Sequence, residues 1–362
     1  MEPRTMGVEE EFLLVDPDSG RPRALAWAAL NATGRPAEHQ IEDEMQLQQL
    51  ETGTEPCQSL GELDKQLRTC RGRAAESALA AGAHLAALAT SPIAATGLPT
   101  PEARYQRIVR RFGLVAEDEL TCGCHIHVGV DSDAEGVAVI DRIRPWLAPL
   151  LALSANSPFW QGRDSSYASY RSQVWSRWPS AGPTELFGGP EQYHELIHAM
   201  TASDTVVDSG MVYFDARLSE HYPTVEVRVA DVCLHAEDAG LLAVLTRALV
   251  ETEARAWRDG RTLAPTRGEL LRLARWRAGR SGMAGDLVDP GTGRPAPAAS
   301  VLRDLYSHVR SALVDAGDDD AVSTRLDLVV RRGTGAEAQR KAYRESGRLA
   351  DVVSDAVRRT TT

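Results

Sequence analysis

No run in the 362-residue chain approaches the roughly 18 consecutive apolar residues that a membrane span needs, which excludes a helical membrane protein. Met1 to Glu11 carries acidic residues where a secretory signal would have a basic and then an apolar stretch, so no export is expected. Cysteine is sparse as well. Cys57, Cys70, Cys122, Cys124 and Cys233 are odd in number and scattered, which argues against a disulfide framework and for a reducing cytoplasm. There is no excess of positive charge: the formal net charge of −11 disfavours a nucleic-acid or anionic-membrane partner held by bulk electrostatics, while leaving room for a local basic patch. No G-x-x-x-x-G-K-[ST] loop is present, which argues against a P-loop kinase, and no internal repeat or disordered tract stands out. What is present is 43% apolar and 25% charged residues, which fits one large soluble domain or two intimately packed ones, and a single domain over residues 1–362 is expected.

Local patterning supplies the elements. Gly7 to Val15 (GVEEEFLLV) reads as a strand closed by the turn cluster Asp16 to Gly20. Residues 58 to 89, rich in Ala and Leu, read as a long helix or helix pair, and Thr121 to Val130 as a strand. Val137 to Ala155 reads as a helix kinked by Pro145 and Pro149. Asn156 to Pro190 is aromatic and rich in Gly, Pro and Arg, the composition of a long binding loop. A helix is expected over Glu191 to Ala202 and strands over Met211 to Leu218 and Thr224 to Cys233, with helical patterns dominating from about Leu234.

Strand residues i and i+2 share a face, so parity assigns facing. Glu9 and Glu11 fall on one side of their strand and Val8 and Glu10 on the other. His125 and His127 share a face with Gly123, opposite Cys124, Ile126, Val128 and Val130. Thr224, Glu226 and Arg228 oppose Val225, Val227 and Val229. A solvated sheet face is the plain explanation. Carboxylates with imidazole, however, suit magnesium or manganese, and arginine beside them suits a transferring phosphoryl group. Glu44, Glu51 and Glu55 in Ile41 to Pro56 are further candidate ligands. Glu44 and Glu51 have opposite parity and both face a site only if a turn or bulge intervenes.

Together the motifs Gly7 to Phe12 (GVEEEF), Glu51 to Pro56 (ETGTEP), Gly123 to Gly129 (GCHIHVG), Ser154 to Trp160 (SANSPFW) and Pro223 to Arg228 (PTVEVR) resemble the carboxylate-amine ligase family, also called glutamate-cysteine ligase type 2. The resemblance runs to about Ala342, through Arg332 to Ala336 (RGTGA) and Gln339-Arg340. It implies an α+β, glutamine synthetase-like fold, with the active site on the concave face of a curved, largely antiparallel sheet and helices outside. It also implies ATP-dependent phosphorylation of a carboxylate, typically the γ-carboxylate of glutamate, followed by attack of an amine such as that of cysteine. Carried over motif by motif, Glu9, Glu11, Glu51, His125 and Glu226, with Glu44 as a further candidate, would bind two or three magnesium or manganese ions. Arg228 would act with Glu226 in catalysis and stabilise the γ-phosphate. Arg163, Tyr167, Tyr170 and Arg171 are candidate substrate contacts, Trp160, Trp175 and Trp178 candidate pocket walls, and Arg332, Gln339 and Arg340 candidate nucleotide contacts. The expected partners are small amino-acid substrates, and a homo-oligomer is compatible with the resemblance.

His194-Glu195-Leu196-Ile197-His198 matches H-E-x-x-H, the zinc metallohydrolase pattern, but lacks a downstream glycine and third histidine, and a solvated helix face explains it as well. Cys122 and Cys124 read as buried packing residues. His39, His84, His221, His235 and His308 have no partner pattern.

Overall fold

A computed structural model describes residues 2–32 and 41–362; Met1 and residues 33–40, His39 among them, lie outside the described residues. The alternating stretch Met6–Val15 forms β1 at the centre of a seven-stranded antiparallel sheet. The short strands β2 (Ile41–Asp43), β3 (Gln49–Gly53) and β4 (His84–Ala86) precede β5 (Gly123–Gly129). A small separate hairpin, β6 (Phe159–Trp160) and β7 (Arg163–Asp164), comes before β8 (Ala216–Leu218) and β9 (Thr224–Asp231). The order across the sheet is β2-β3-β1-β5-β9-β8, with β4 paired to the far end of β1.

One face of this sheet is the apolar one that parity predicts. Val8, Cys124, Ile126, Val128, Val225, Val227 and Val229 are buried in one core with the long helix Ala236–Arg258 and the helices around it. Each large apolar side chain fully removed from water contributes about 1.5–3 kcal/mol. Glu10 lies on that apolar side, completely buried. Arg71, from the helix Leu60–Ala80, meets it with two hydrogen bonds, Nε at 2.9 Å and Nη2 at 2.6 Å. The same guanidinium donates to the carbonyls of Leu234, Thr360 and Cys233. One buried cation thus joins β1, a flanking helix, the segment after β9 and the C-terminal helix Leu349–Thr360.

Where sequence expectation and structure part, a local cause is visible. The helix expected over 58–89 starts after the Ser59 cap but stops at Ala80, because Gly82 takes a left-handed φ of +78° and His84–Ala86 pairs with β1. Edge pairing overrides the helical propensity of an Ala-rich stretch. The expected kinked helix begins earlier, at Asp133 under a Ser132 cap, and Pro145 breaks it into Asp133–Ile143 and Leu147–Ser154 with a 3₁₀ turn between. Of Met211–Leu218 only the last three residues are strand. No helix among the described residues is long and apolar enough to cross a membrane.

Truncating Arg71 leaves Glu10 buried and unpaired, which typically costs about 3–5 kcal/mol. Arg71→Ala should therefore lose stability on that scale in urea denaturation, and a loss within about 0.5 kcal/mol, the usual surface range, would refute the role given to the pair.

Candidate active site

The opposite face of the sheet opens on a cavity of about 1410 Å³. Antiparallel register sets its charged side chains next to one another: Glu9 lies opposite His125, Glu11 opposite Glu51, and His127 opposite Glu226. All six, with Arg228, line the cavity. Glu44 and Glu55 line it too. The opposite parity of Glu44 and Glu51 is resolved by the turn between β2 and β3, so the two residues do not belong to one strand.

The electrostatics of this floor are those of crowded anions. Burial and the neighbouring Glu44 charge push the Glu11 carboxyl up to about 7, against the Arg171 charge and a 2.5 Å hydrogen bond from the Gly123 N–H. Glu51 is pushed well above the ordinary range by burial and by Glu44 and Glu9. Glu9 goes the other way: burial would raise its carboxyl, but the imidazoles of His125 and His127 hold it below the usual range. Burial and the Arg228 charge lower His125 to about 4, so its ring is neutral near pH 7 and free to act as a ligand. Burial would raise Glu226 as well, yet Arg228 and Arg217 keep it ionised. Arg217 Nε stands 2.7 Å from Glu226, and Arg228 Nη1 bonds its other oxygen.

Two sets of ligand atoms, Glu9–Glu51–His125 and Glu9–His127–Glu226, each converge within 4.8 Å, and Glu9 belongs to both. The ring nitrogens Nε2 of His125 and His127 are buried without a hydrogen bond. His127 Nε2 lies 3.3 Å from Glu9, but not aligned for a bond. Repelling carboxylates and orphaned imidazole nitrogens around one point fit a divalent cation bound by oxygen and nitrogen. His127 was not among the ligands that the resemblance implies, although parity already put it on the right face; its Nδ1, 3.0 Å from the Thr224 hydroxyl, leaves Nε2 turned to the cavity side.

The remaining candidates divide. Trp175 and Trp178 line the cavity. Arg171 is buried just behind it: a side chain on Gly123 would collide with its Nη2, and its guanidinium lies 5.4 Å from the Trp175 ring centre. No ion pair to Arg171 is found among the described residues. Arg163, Tyr167, Tyr170, Trp160, Arg332, Gln339 and Arg340 stand outside the cavity lining. Arg163 is exposed on β7, and Tyr170 packs against Trp160 and Tyr167. Arg332 pairs with Asp238 at 2.6 Å, Arg340 pairs with Asp164 at 2.8 Å and bonds the Tyr167 carbonyl, and Gln339 bonds Asn156. Arg217 and Glu119, which sequence reading passed over, are part of the cavity wall. Arg217 sits on β8, inside the stretch read as strand, but no motif singles it out.

The H-E-x-x-H residues lie on the helix Pro190–Ala202, away from this cavity. His194 bonds Asp133 at 2.8 Å, and neither His194 nor His198 joins a group able to hold a metal among the described residues. All five cysteines are free and buried, and burial pushes the Cys122 and Cys124 thiols well up, as packing residues require.

Comparison with known proteins identifies the chain's relatives. The profile of glutamate-cysteine ligase family 2 matches residues 5–355. The chain is 52% identical over 359 residues to a protein of Streptomyces avermitilis provisionally named glutamate–cysteine ligase 2-1, with 99% of each chain covered. A Streptomyces coelicolor protein provisionally named glutamate–cysteine ligase 2 is 53% identical over 359 residues, again with 99% of each covered. Among solved structures, the glutamate–cysteine ligase of Francisella tularensis in complex with AMP superimposes with a TM-score of 0.68 at 13% identity, covering 100% of this chain and 90% of that one. A bifunctional glutathione synthetase from Pasteurella multocida gives a TM-score of 0.69 at 16% identity, covering 99% of this chain and 52% of that one, so the chain spans about half of it. At such identities the likeness is one of fold, and the fold is the α+β, glutamine synthetase-like one that the sequence motifs imply. With its motifs, its profile match and its fold in agreement, the chain belongs to glutamate-cysteine ligase family 2.

Proposed function

We propose that this ligase uses ATP to activate the γ-carboxylate of glutamate as an acyl phosphate and joins it to the amine of cysteine, within one catalytic domain over residues 1–362. The observation that carries the reading is Glu9, a single carboxylate shared by two converging sets of metal-ligand atoms on the floor of one large cavity. Two magnesium ions fit those sets, with Glu11, Glu44 and Glu55 at hand for a third, and manganese would suit the same donors. Bound there, magnesium supplies the charge that makes phosphoryl transfer to a carboxylate oxygen feasible.

The chain's own groups do the rest. Glu226, fixed between Arg217 and Arg228, keeps a ligand oxygen and a guanidinium charge side by side at the sheet surface. The Arg228 Nε is buried without a partner, so the cation has a donor left for a phosphoryl oxygen. Arg171, buried just behind the cavity with no ion pair among the described residues, supplies positive charge for a substrate carboxylate, and Trp175 and Trp178 exclude water at that end of the cavity.

Magnesium added to metal-free protein at about a hundredfold its Kd should stabilise it by about 2.7 kcal/mol. Glu9→Gln should remove most of that gain, and His127→Ala part of it; full magnesium stabilisation in Glu9→Gln would show that the shared carboxylate holds no ion. Glu226→Ala and Arg228→Ala should each lower turnover by about a hundredfold or more while circular dichroism stays unchanged, and unaltered turnover would refute the site. Incubation with ATP, magnesium and an amino-acid panel should release ADP only when the acid substrate is present. No amino-acid-dependent ADP, together with a peptidase activity lost on His194→Ala, would overturn the ligase reading.

A further inference from the structure

One wall of the cavity differs from the metal-binding floor. Glu119 is almost wholly buried yet reaches the cavity surface. Its two oxygens are oriented by neutral donors, the Thr121 hydroxyl on one and the Trp178 indole N–H, at 3.1 Å, on the other. From Trp178 the aromatic wall continues to Tyr213, whose ring centre lies 5.6 Å from Trp178, and on to Trp175, 4.7 Å from Tyr213 and 5.4 Å from the Arg171 guanidinium. All three rings line the cavity. No ion pair joins Glu119 to any cation among the described residues, although the Arg171 and Arg177 charges act on it from nearby. Burial pushes its carboxyl up against the pull of Thr121 and Arg171.

A carboxylate offers about four lone-pair sites, and the two donors leave about half of them open. The Arg171 and Arg177 charges act on Glu119 without pairing with it, so its burial is only partly compensated, and a cation that enters beside it removes more of the cost. Aromatic faces next to an acid attract ammonium groups in particular, through the ring quadrupole. Glu119 is also distinct from the Glu9 floor: it belongs to neither converging ligand set. An imidazole and several carboxylates suit a metal, whereas one acid within a wall of indoles and a phenol suits an organic cation.

We propose that Glu119, with Trp175, Trp178 and Tyr213, forms the subsite that recognises the ammonium group of the amine partner. The inference rests on the ligase reading above and adds to it where the second substrate binds and in which charge state it arrives. Glu119 here recognises and orients the ammonium, whose nitrogen attacks the acyl carbon only once it has given up a proton, for which Glu119 is the adjoining acceptor; phosphate leaves as the N–C bond forms, and the phosphoryl chemistry stays with the floor.

The test uses the full chain with ATP, magnesium and L-glutamate and compares two nucleophiles, L-cysteine, whose amine arrives largely as ammonium, and hydroxylamine, which is largely uncharged near neutral pH. Glu119→Gln should raise the KM for cysteine by about tenfold to a hundredfold, the scale of a charge-assisted hydrogen bond. The KM for glutamate and the rate of hydroxamate formation should stay within about twofold of wild type. Trp175→Leu, which leaves the acid and its two donors in place, should raise the cysteine KM by about threefold to tenfold. Equal losses with both nucleophiles, a KM shift for glutamate in place of cysteine, or an unchanged cysteine KM in both variants would overturn the proposal while hydroxamate formation by the wild type upholds the ligase reading. A second arm needs no turnover: methylammonium chloride, matched against potassium chloride, should quench tryptophan fluorescence saturably in the wild type and not in Glu119→Gln. Absence of that quench in the wild type, or an equal quench in the variant, would overturn the subsite, whereas failure of the wild type to make either product with the quench intact would strike only the ligase reading.

Discussion

The buried ion pair between Glu10 and Arg71 fixes what everything else in the site depends on, the register of β1. Three glutamates follow one another at 9, 10 and 11, and side chains alternate across a strand, so a slip of one residue would exchange the buried set for the exposed one. Apolar patterning alone decides little here, because Val8 is the one apolar residue between Gly7 and Phe12. An arginine buried on the far side, with carbonyls of Leu234, Thr360 and Cys233 already bound to it, accepts only Glu10 as its counter-ion. Glu9 and Glu11 are thereby forced to the cavity. A pair of this kind adds little net stability over an apolar substitute; its contribution is that only one register satisfies it.

On the cavity side the same chemistry runs without such compensation. Glu11 and Glu51 are pushed up by burial and by each other's neighbours, while Glu9 is held down by two imidazoles and Glu226 by two arginines. The floor is therefore divided. Glu226 is neutralised within the protein by Arg217 and Arg228, whereas Glu11 and Glu51 stay pushed up, although the Arg171 and Arg228 charges act on Glu11. A site left in this state spends folding stability on repulsion, a common mark of groups kept for binding. In the proposed reaction the two arginines on Glu226 would serve a different end, holding positive charge where phosphate charge develops, with no need to move to meet it.

Much of this was legible in the sequence because the floor is built from regular strands. Parity placed Glu9, Glu11, His125, His127, Glu226 and Arg228 correctly on one face, and the spaced motifs assigned the chemistry. What parity could not reach were the irregular joints. The turn separating Glu44 from Glu51 has no alternating pattern to read. Glu119 and Thr121 lie just before β5, Trp175 and Trp178 lie in or beside a five-residue helix, and Tyr213 lies in a stretch that looked like strand and is not. The amine-recognising wall is thus assembled from loops, where sequence spacing carries no facing information.

The register shift between β5 and β9 shows the same limit at one residue. Cys124 lies opposite Ala230 but Ile126 opposite Val227, so β9 carries an extra residue next to Arg228. Beyond such a bulge facing inverts. Asp231, which simple alternation from Val229 assigns to the apolar side, instead lies opposite Gly123, on the side of the cavity. There it accepts hydrogen bonds from the Asn156 N–H and from the hydroxyls of Ser157 and Ser169. The Ser157 hydroxyl in turn accepts from the backbone N–H of Arg171. A bulge in a sheet strand thereby anchors the irregular 156–190 segment beneath the site, and through it the buried guanidinium that crosses over Gly123. The loop's aromatic and arginine-rich composition suggests a binding element but brings only Trp175 and Trp178 to the cavity lining; its attachment point depends on one inserted residue whose effect no periodicity reveals.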